Sequence, residues 1–156
     1  MVSPSEWGPN AWELLHGIAE RVGYQKNISL IKDEQNCIRL TLRHFWSLLP
    51  CQKCQTHYKE WYRTHPPNTT KYGEYLQEDL REWLFKLHEN VNHDREVISG
   101  ITLDMLKDKY KSINLRECAN RLKTMYQRGV QTGVLKPIDW KVAWKQLDML
   151  LLSIGC

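Results

Sequence analysis

The sequence predicts an all-α fold, a four-helix bundle carrying an additional helical C-terminal extension. Three observations lead there. Apolar residues recur at three- and four-residue spacing along most of the 156 residues. Strand-like alternation is almost missing, and Gly or Pro closes most of the periodic stretches. A chain of this length holds one domain with an appendage and can bury a real core.

The first helix has Pro9 in its opening turn, Trp12, Leu15, His16, Ala19 and Val22 on one face, and Gly23 at its close. The second runs from about Ser29 to Leu48, with Ile31, Ile38, Leu42, Phe45 and Leu49 inward, until Pro50 ends it. A third, short helix starts at Cys51 and Cys54 and stops by Pro66-Pro67, which cannot continue it. The fourth spans about Tyr72 to Asn92, where Leu76, Leu80, Leu84, His88 and Asn92 make one stripe beside Trp83, Leu87 and Val91. Short turns between such helices make a compact bundle over residues 1–97. The extension, 98–156, reads as two helices. One starts at Thr102 or Asp104 and continues to about Val130; the other is capped by Asp139 and ends near Ile154, with Gly129, Gly133 and Pro137 breaking the pattern between them.

Composition narrows the function. The net charge of +4 is spread among Asp and Glu without a basic block, so a solvated helical surface is expected and nucleic acid is not a partner. No apolar run approaches the roughly 20 residues of a membrane span, and the start MVSPSEWGPN lacks the pattern of a secretory signal. Seven Trp and seven Tyr against two Phe supply large flat faces with polar handles, suited to cores and to ring-shaped ligands alike. The five cysteines are too few and too odd in number for a stapled secreted scaffold.

One pair stands out. In Pro50-Cys51-Gln52-Lys53-Cys54 the two thiols lie on one face at a helix N-terminus, whose partial positive charge, with Lys53, favours a thiolate. A lone C-x-x-C leaves alternatives open: a helical zinc module using His57 as third ligand, a redox pair, or a protein-interaction bundle whose thiols are incidental. No second C-x-x-C accompanies it. A redox pair on a helical scaffold needs another electron acceptor. Trp12 and His16 one turn apart, His57 and Tyr58 one turn beyond Cys54, and His88 and Asn92 one turn apart are groups that could surround an isoalloxazine and an adenine.

The order W-G-P-x-x-W-x-x-L-H, P-C-x-x-C-x-x-H-[FY] and W-L-x-x-L-H-x-x-V-N, over about residues 7–92, resembles the Erv/ALR family of FAD-linked sulfhydryl oxidases. The resemblance implies an Erv-like four-helix bundle with a short fifth helix, non-covalent FAD and commonly a homodimer. It makes Cys54 the flavin-proximal cysteine and Cys51 the one that meets incoming thiols. It places Trp7, Trp12, His16, His57, Tyr58, Trp83, Leu87, His88 and Asn92 at or around FAD, with no metal. It further implies thiol-containing protein substrates, O2 as acceptor and H2O2 as product.

Departures from the family pattern are local. Glu89 stands where an Asn is usual, Arg95 and Val97 replace a Leu and a Lys, and the Trp/Arg-rich closing segment with its structural cysteine is missing. The missing segment and divergent tail resemble the viral branch, implying host cytoplasm or the virion; a cellular member would sit in the mitochondrial intermembrane space. Cys156 reads as an incidental exposed thiol rather than a relay, and Cys37 and Cys118 as inert buried thiols.

Overall fold

The computed structural model of the chain describes residues 3–156. Helices α1 (Pro4–Arg21), α2 (Ile28–His44), α3 (Gln52–Thr64), α4 (Glu74–Asp94), α5 (Leu106–Tyr110), α6 (Leu115–Gln131) and α7 (Pro137–Ser153) follow one another, with 3₁₀ turns at Phe45–Leu48 and Leu103–Met105. No strand occurs among the described residues, so the fold is all-α, with the expected helical extension.

Four boundaries differ from the sequence reading, each for a local reason. Helix α1 begins more than a turn before Pro9. Ser3 caps it, Pro4 takes the first helical position, and Glu6 Oε2 accepts from the Ser3 N–H at 3.0 Å. Pro9 therefore sits inside the helix, on its exposed side. The single helix expected from Thr102 or Asp104 to Val130 is two, because Tyr110 turns in to stack on His16 at 4.6 Å between ring centroids and the chain restarts at Leu115. Asn114 caps the restart by accepting from Glu117 N–H at 3.1 Å. Lys136, not Asp139, is the residue before α7, with Pro137 at its first position. Gly129 does not break α6 but lies buried within it.

Helix α1 packs between α4 and α6, and α2 packs along α7. The α2–α7 pair is antiparallel. Ser47 Oγ donates to the Asp139 carbonyl (3.3 Å) at one end, and Gln25 Nε2 donates to the Ser153 carbonyl (2.9 Å) at the other. Helix α6 likewise runs antiparallel to α1, with Cys118 Sγ donating to the Asn10 carbonyl (3.1 Å) and Arg21 to the Ile113 carbonyl (3.1 Å). Leu14, Ile38 and Leu80 share one apolar cluster with Leu122, Leu135 and Leu147, so residues before and after position 97 fill the same core. At the turn after α1, Gly23 has φ +93° and approaches so closely that a Cβ there would lie 2.8 Å from the Gly73 carbonyl oxygen at the start of α4.

Candidate active site

The 3₁₀ turn, Leu49 and Pro50 deliver the chain to Cys51, the N-cap of α3, in extended conformation. Leu49 anchors the approach. Its carbonyl accepts from Cys51 N–H (2.8 Å) and from Gln55 Nε2 (2.8 Å). Cys54, one turn in, donates its N–H to Cys51 Sγ (3.2 Å), and the two cysteines are joined as a disulfide with Cα atoms 5.2 Å apart. Both are half-buried.

The disulfide forms one edge of a cleft of about 250 Å³ between α1, α3 and α4, close to the lower end of small-ligand sites. Trp7 and Trp12 of α1, Tyr58 of α3 and Leu87 of α4 wall it, as does His57. Gly8 lines it without a side chain, and a Cβ there would meet nothing within 4 Å. Trp7 Nε1 is buried beside this space with no hydrogen-bond partner, which marks a place for an acceptor. Lys53, Arg95 and the acidic Asp94 also line the cleft. Flat aromatic walls and a free indole donor fit the ring system of a flavin nucleotide. FAD would lie against Trp7, Trp12, Tyr58 and Leu87, with Arg95 as the cation left for a phosphate.

The other named residues stand behind the cleft wall. His88 stacks on Trp12, centroids 3.9 Å apart at 9°, and its Nδ1 meets His16 Nε2 at 3.1 Å. His16, buried beneath Tyr110, has its pKa lowered to about 3, chiefly by desolvation and then by His88. His88 is lowered to about 4, again by burial first. Both rings are therefore neutral at pH 7. Trp83 packs edge-on against Tyr58 (6.3 Å) and donates Nε1 to the His65 carbonyl, so it supports Tyr58 rather than facing the cleft. Tyr58 in turn donates its hydroxyl to the Leu42 carbonyl, fixing its ring, and its burial pushes the phenol well above the usual range. Asn92 is half-buried on α4, outside the cleft lining.

Sequence reasoning missed Asn90 and Asp94. Asn90 Oδ1 holds His57 Nε2 at 2.6 Å, and Asp94 Oδ2 lies 3.6 Å from His57 Nδ1. Their signal was present: Asn90 lies within a turn of His88, and Asp94 lies one turn beyond Asn90 on the same helix. Among the described residues no three His, Cys, Asp or Glu side chains group so as to hold a metal ion. The free thiols are elsewhere. Cys118 is buried and its pKa pushed up to about 11 by desolvation. Cys37 is only half-buried, against expectation, with its thiol also raised by burial. The Cys156 carbonyl accepts from Arg116 Nε (2.8 Å) at the start of α6. Cys156 thus lies past the C-terminal end of α7, whereas the first turn of α7 meets Ser47 of the turn that leads to the disulfide.

Fold and site together define an all-helical protein with a disulfide at a helix head, on the rim of a cleft walled by aromatic side chains. The model of the Erv1/Alr family matches residues 9–111, about two thirds of the chain. The chain belongs to this family, known for FAD-linked sulfhydryl oxidases. No curated protein and no solved structure matches it. No helix among the described residues is long and apolar enough to cross a membrane.

Proposed function

We propose that the chain is an FAD-dependent thiol oxidase that forms disulfide bonds in protein substrates. The observation that carries this reading is the Cys51–Cys54 disulfide at the head of α3, on the wall of a cleft bounded by Trp7, Trp12 and Tyr58.

A substrate thiolate attacks Cys51 Sγ. The Cys51–Cys54 bond breaks and Cys54 departs as a thiolate. The unsatisfied N–H groups at the α3 N-terminus and the Lys53 ammonium stabilise that charge. The second substrate thiol then displaces Cys51, and the substrate leaves as a disulfide with both cysteines reduced. FAD supplies a two-electron acceptor for the reduced pair, which O2 can reoxidise to give H2O2. The protein's own work is to hold Cys54 against the cleft through the α3 backbone, to keep Tyr58 immobile on Leu42, and to orient His57 through Asn90.

The test is direct. Purified protein is expected to be yellow and to consume oxygen when given dithiothreitol or a reduced protein. Cys51→Ser and Cys54→Ser are each expected to abolish oxygen uptake while the flavin absorbance remains. A colourless chain, or uptake that survives both substitutions, rejects the reading.

A further inference from the structure

The chain past the family-matched region bears directly on the redox loop. A methyl group at position 129 of α6 would come within 3.0 Å of Pro50 Cβ and 3.0 Å of Leu135 Cδ1. Such spacing is closer than packed carbons tolerate without movement. The Leu135 side chain can rotate, although it is fully buried. Pro50 cannot rotate, because its Cβ belongs to a ring fused to the backbone. Displacing Pro50 means displacing its peptide neighbours, Leu49 and Cys51, both of which line the cleft.

Two further contacts tie the same loop to the same segment. Leu135 N–H donates to the Gly129 carbonyl (3.1 Å), which folds the α6–α7 turn back beneath Pro50. Ser47, in the 3₁₀ turn that precedes Pro50, donates its hydroxyl to the Asp139 carbonyl in the first turn of α7 and to the His44 carbonyl. The loop that ends in Cys51 is thus seated on residues 129–139, which lie beyond the matched residues 9–111.

We propose that Gly129 is a positioning residue for the Cys51–Cys54 disulfide. Its missing side chain sets the height of Pro50, and through it the placement of Cys51 at the cleft. The extension is on this view part of the redox apparatus, although it contributes no reacting atom. The inference rests on the thiol-oxidase reading for its kinetic consequence and on packing alone for its structural one.

The experiment uses the full chain with three substitutions. Gly129→Ala should lower kcat for dithiothreitol oxidation by about threefold, since Pro50 must give by only a few tenths of an ångström and about an ångström of misplacement costs up to about a hundredfold. It should leave flavin content and the KM for dithiothreitol within about twofold. Leu147→Ala removes a fully buried side chain of α7 about 12 Å along the helix from Asp139; it should lower the melting temperature more than Gly129→Ala does and leave kcat unchanged. Ser47→Ala removes the hydroxyl's contacts to both the Asp139 and the His44 carbonyls and, should Gly129→Ala not fold, still reads the same route, with an expected drop in kcat of about twofold. The double variant Gly129→Ala/Leu135→Ala frees the Leu135 contact but not the Pro50 contact, and should stay slow. Recovery of kcat in the double variant, equal kcat in Gly129→Ala and the parent, or a loss in Leu147→Ala as large as in Gly129→Ala would each overturn the proposal. If the parent does not oxidise thiols, the proposed function fails by itself. The rate at which dithiothreitol opens the Cys51–Cys54 disulfide then takes the place of kcat, with the same expected order among the variants.

Discussion

The two ends of the bundle treat buried polar groups in opposite ways. At the end remote from α3, most of the groups close on one another; Asp79 Oδ2 there has no hydrogen-bond partner and meets Lys71 only as an ion pair at 3.4 Å. Glu34 accepts from Gly23 N–H (2.7 Å) and from the Tyr72 hydroxyl (3.1 Å), whose oxygen accepts from Gln25 N–H (2.7 Å). Gln77 donates to the Val22 carbonyl (2.7 Å), and Arg81 grips Glu20 through two bonds of 2.7 and 2.6 Å. At the α3 end, Trp7 Nε1 and His16 Nδ1 are buried with no partner. Tyr126 and Trp140 also carry unpartnered polar atoms within the core around α6 and α7, so an orphan alone does not mark a site. It marks one where it borders open space, as Trp7 does beside the cleft. The closed network fixes which helix meets which. The open one leaves hydrogen-bonding capacity for a ligand.

This contrast separates variants that remove activity from variants that remove stability. The largest effect belongs to Cys54→Ala, expected to reduce thiol-dependent oxygen uptake by at least about a thousandfold. Its unfolding free energy should fall by only about 2 kcal/mol, as expected for a disulfide closing so short a loop. Glu20→Ala should do the reverse. Removing one partner of a buried ion pair strands Arg81, whose pKa is raised chiefly by its hydrogen bond to Glu20. A loss of about 3 kcal/mol in urea unfolding is expected, with kcat intact. Comparable kcat losses in the two variants would erase the distinction between the ends.

Acid sharpens the comparison. His16 has a folded pKa of about 3 against 6.5 unfolded, so the unfolded chain binds the extra proton first. Stability contributed by the neutral ring is complete above pH 6.5 and declines as pH falls from there toward the folded value. The expected loss between pH 7 and pH 5 is about 2 kcal/mol, read from urea midpoints across pH. His88, lowered to about 4, adds to the same slope, so His16→Leu should reduce the slope without removing it. The smallest effect is Asn27→Ala, which removes the cap accepting from Ser29 N–H (2.9 Å) and Leu30 N–H (3.4 Å) and should cost about 1 kcal/mol with kcat unchanged.

Much of the fold was legible because helices announce themselves locally. The stripe Leu76, Leu80 and Leu84, the stops at Pro50 and Pro66-Pro67, and the thiol pair at the head of α3 are encoded within a few residues of where they act. The break at Asn114 was legible too, in Asn114 followed by Glu117, but apolar spacing on both sides disguised it. The site was only partly readable. Cys51, Cys54, Trp7, Trp12, His57, Tyr58 and Leu87 converge on the cleft, while His16 and His88 turn to each other and Trp83 braces Tyr58.

By itself the sequence determined the helical periods, their caps and stops, and the reactive pair, since each depends on neighbours along the chain. Only the tertiary structure decided that α6 and α7 share the core of the first four helices and that Gly129 leaves room for Pro50. It also brought Asn90 and Asp94 to His57. Those pairings join residues tens of positions apart, and their energy comes from burial and close approach between helices, which no local pattern along the chain specifies.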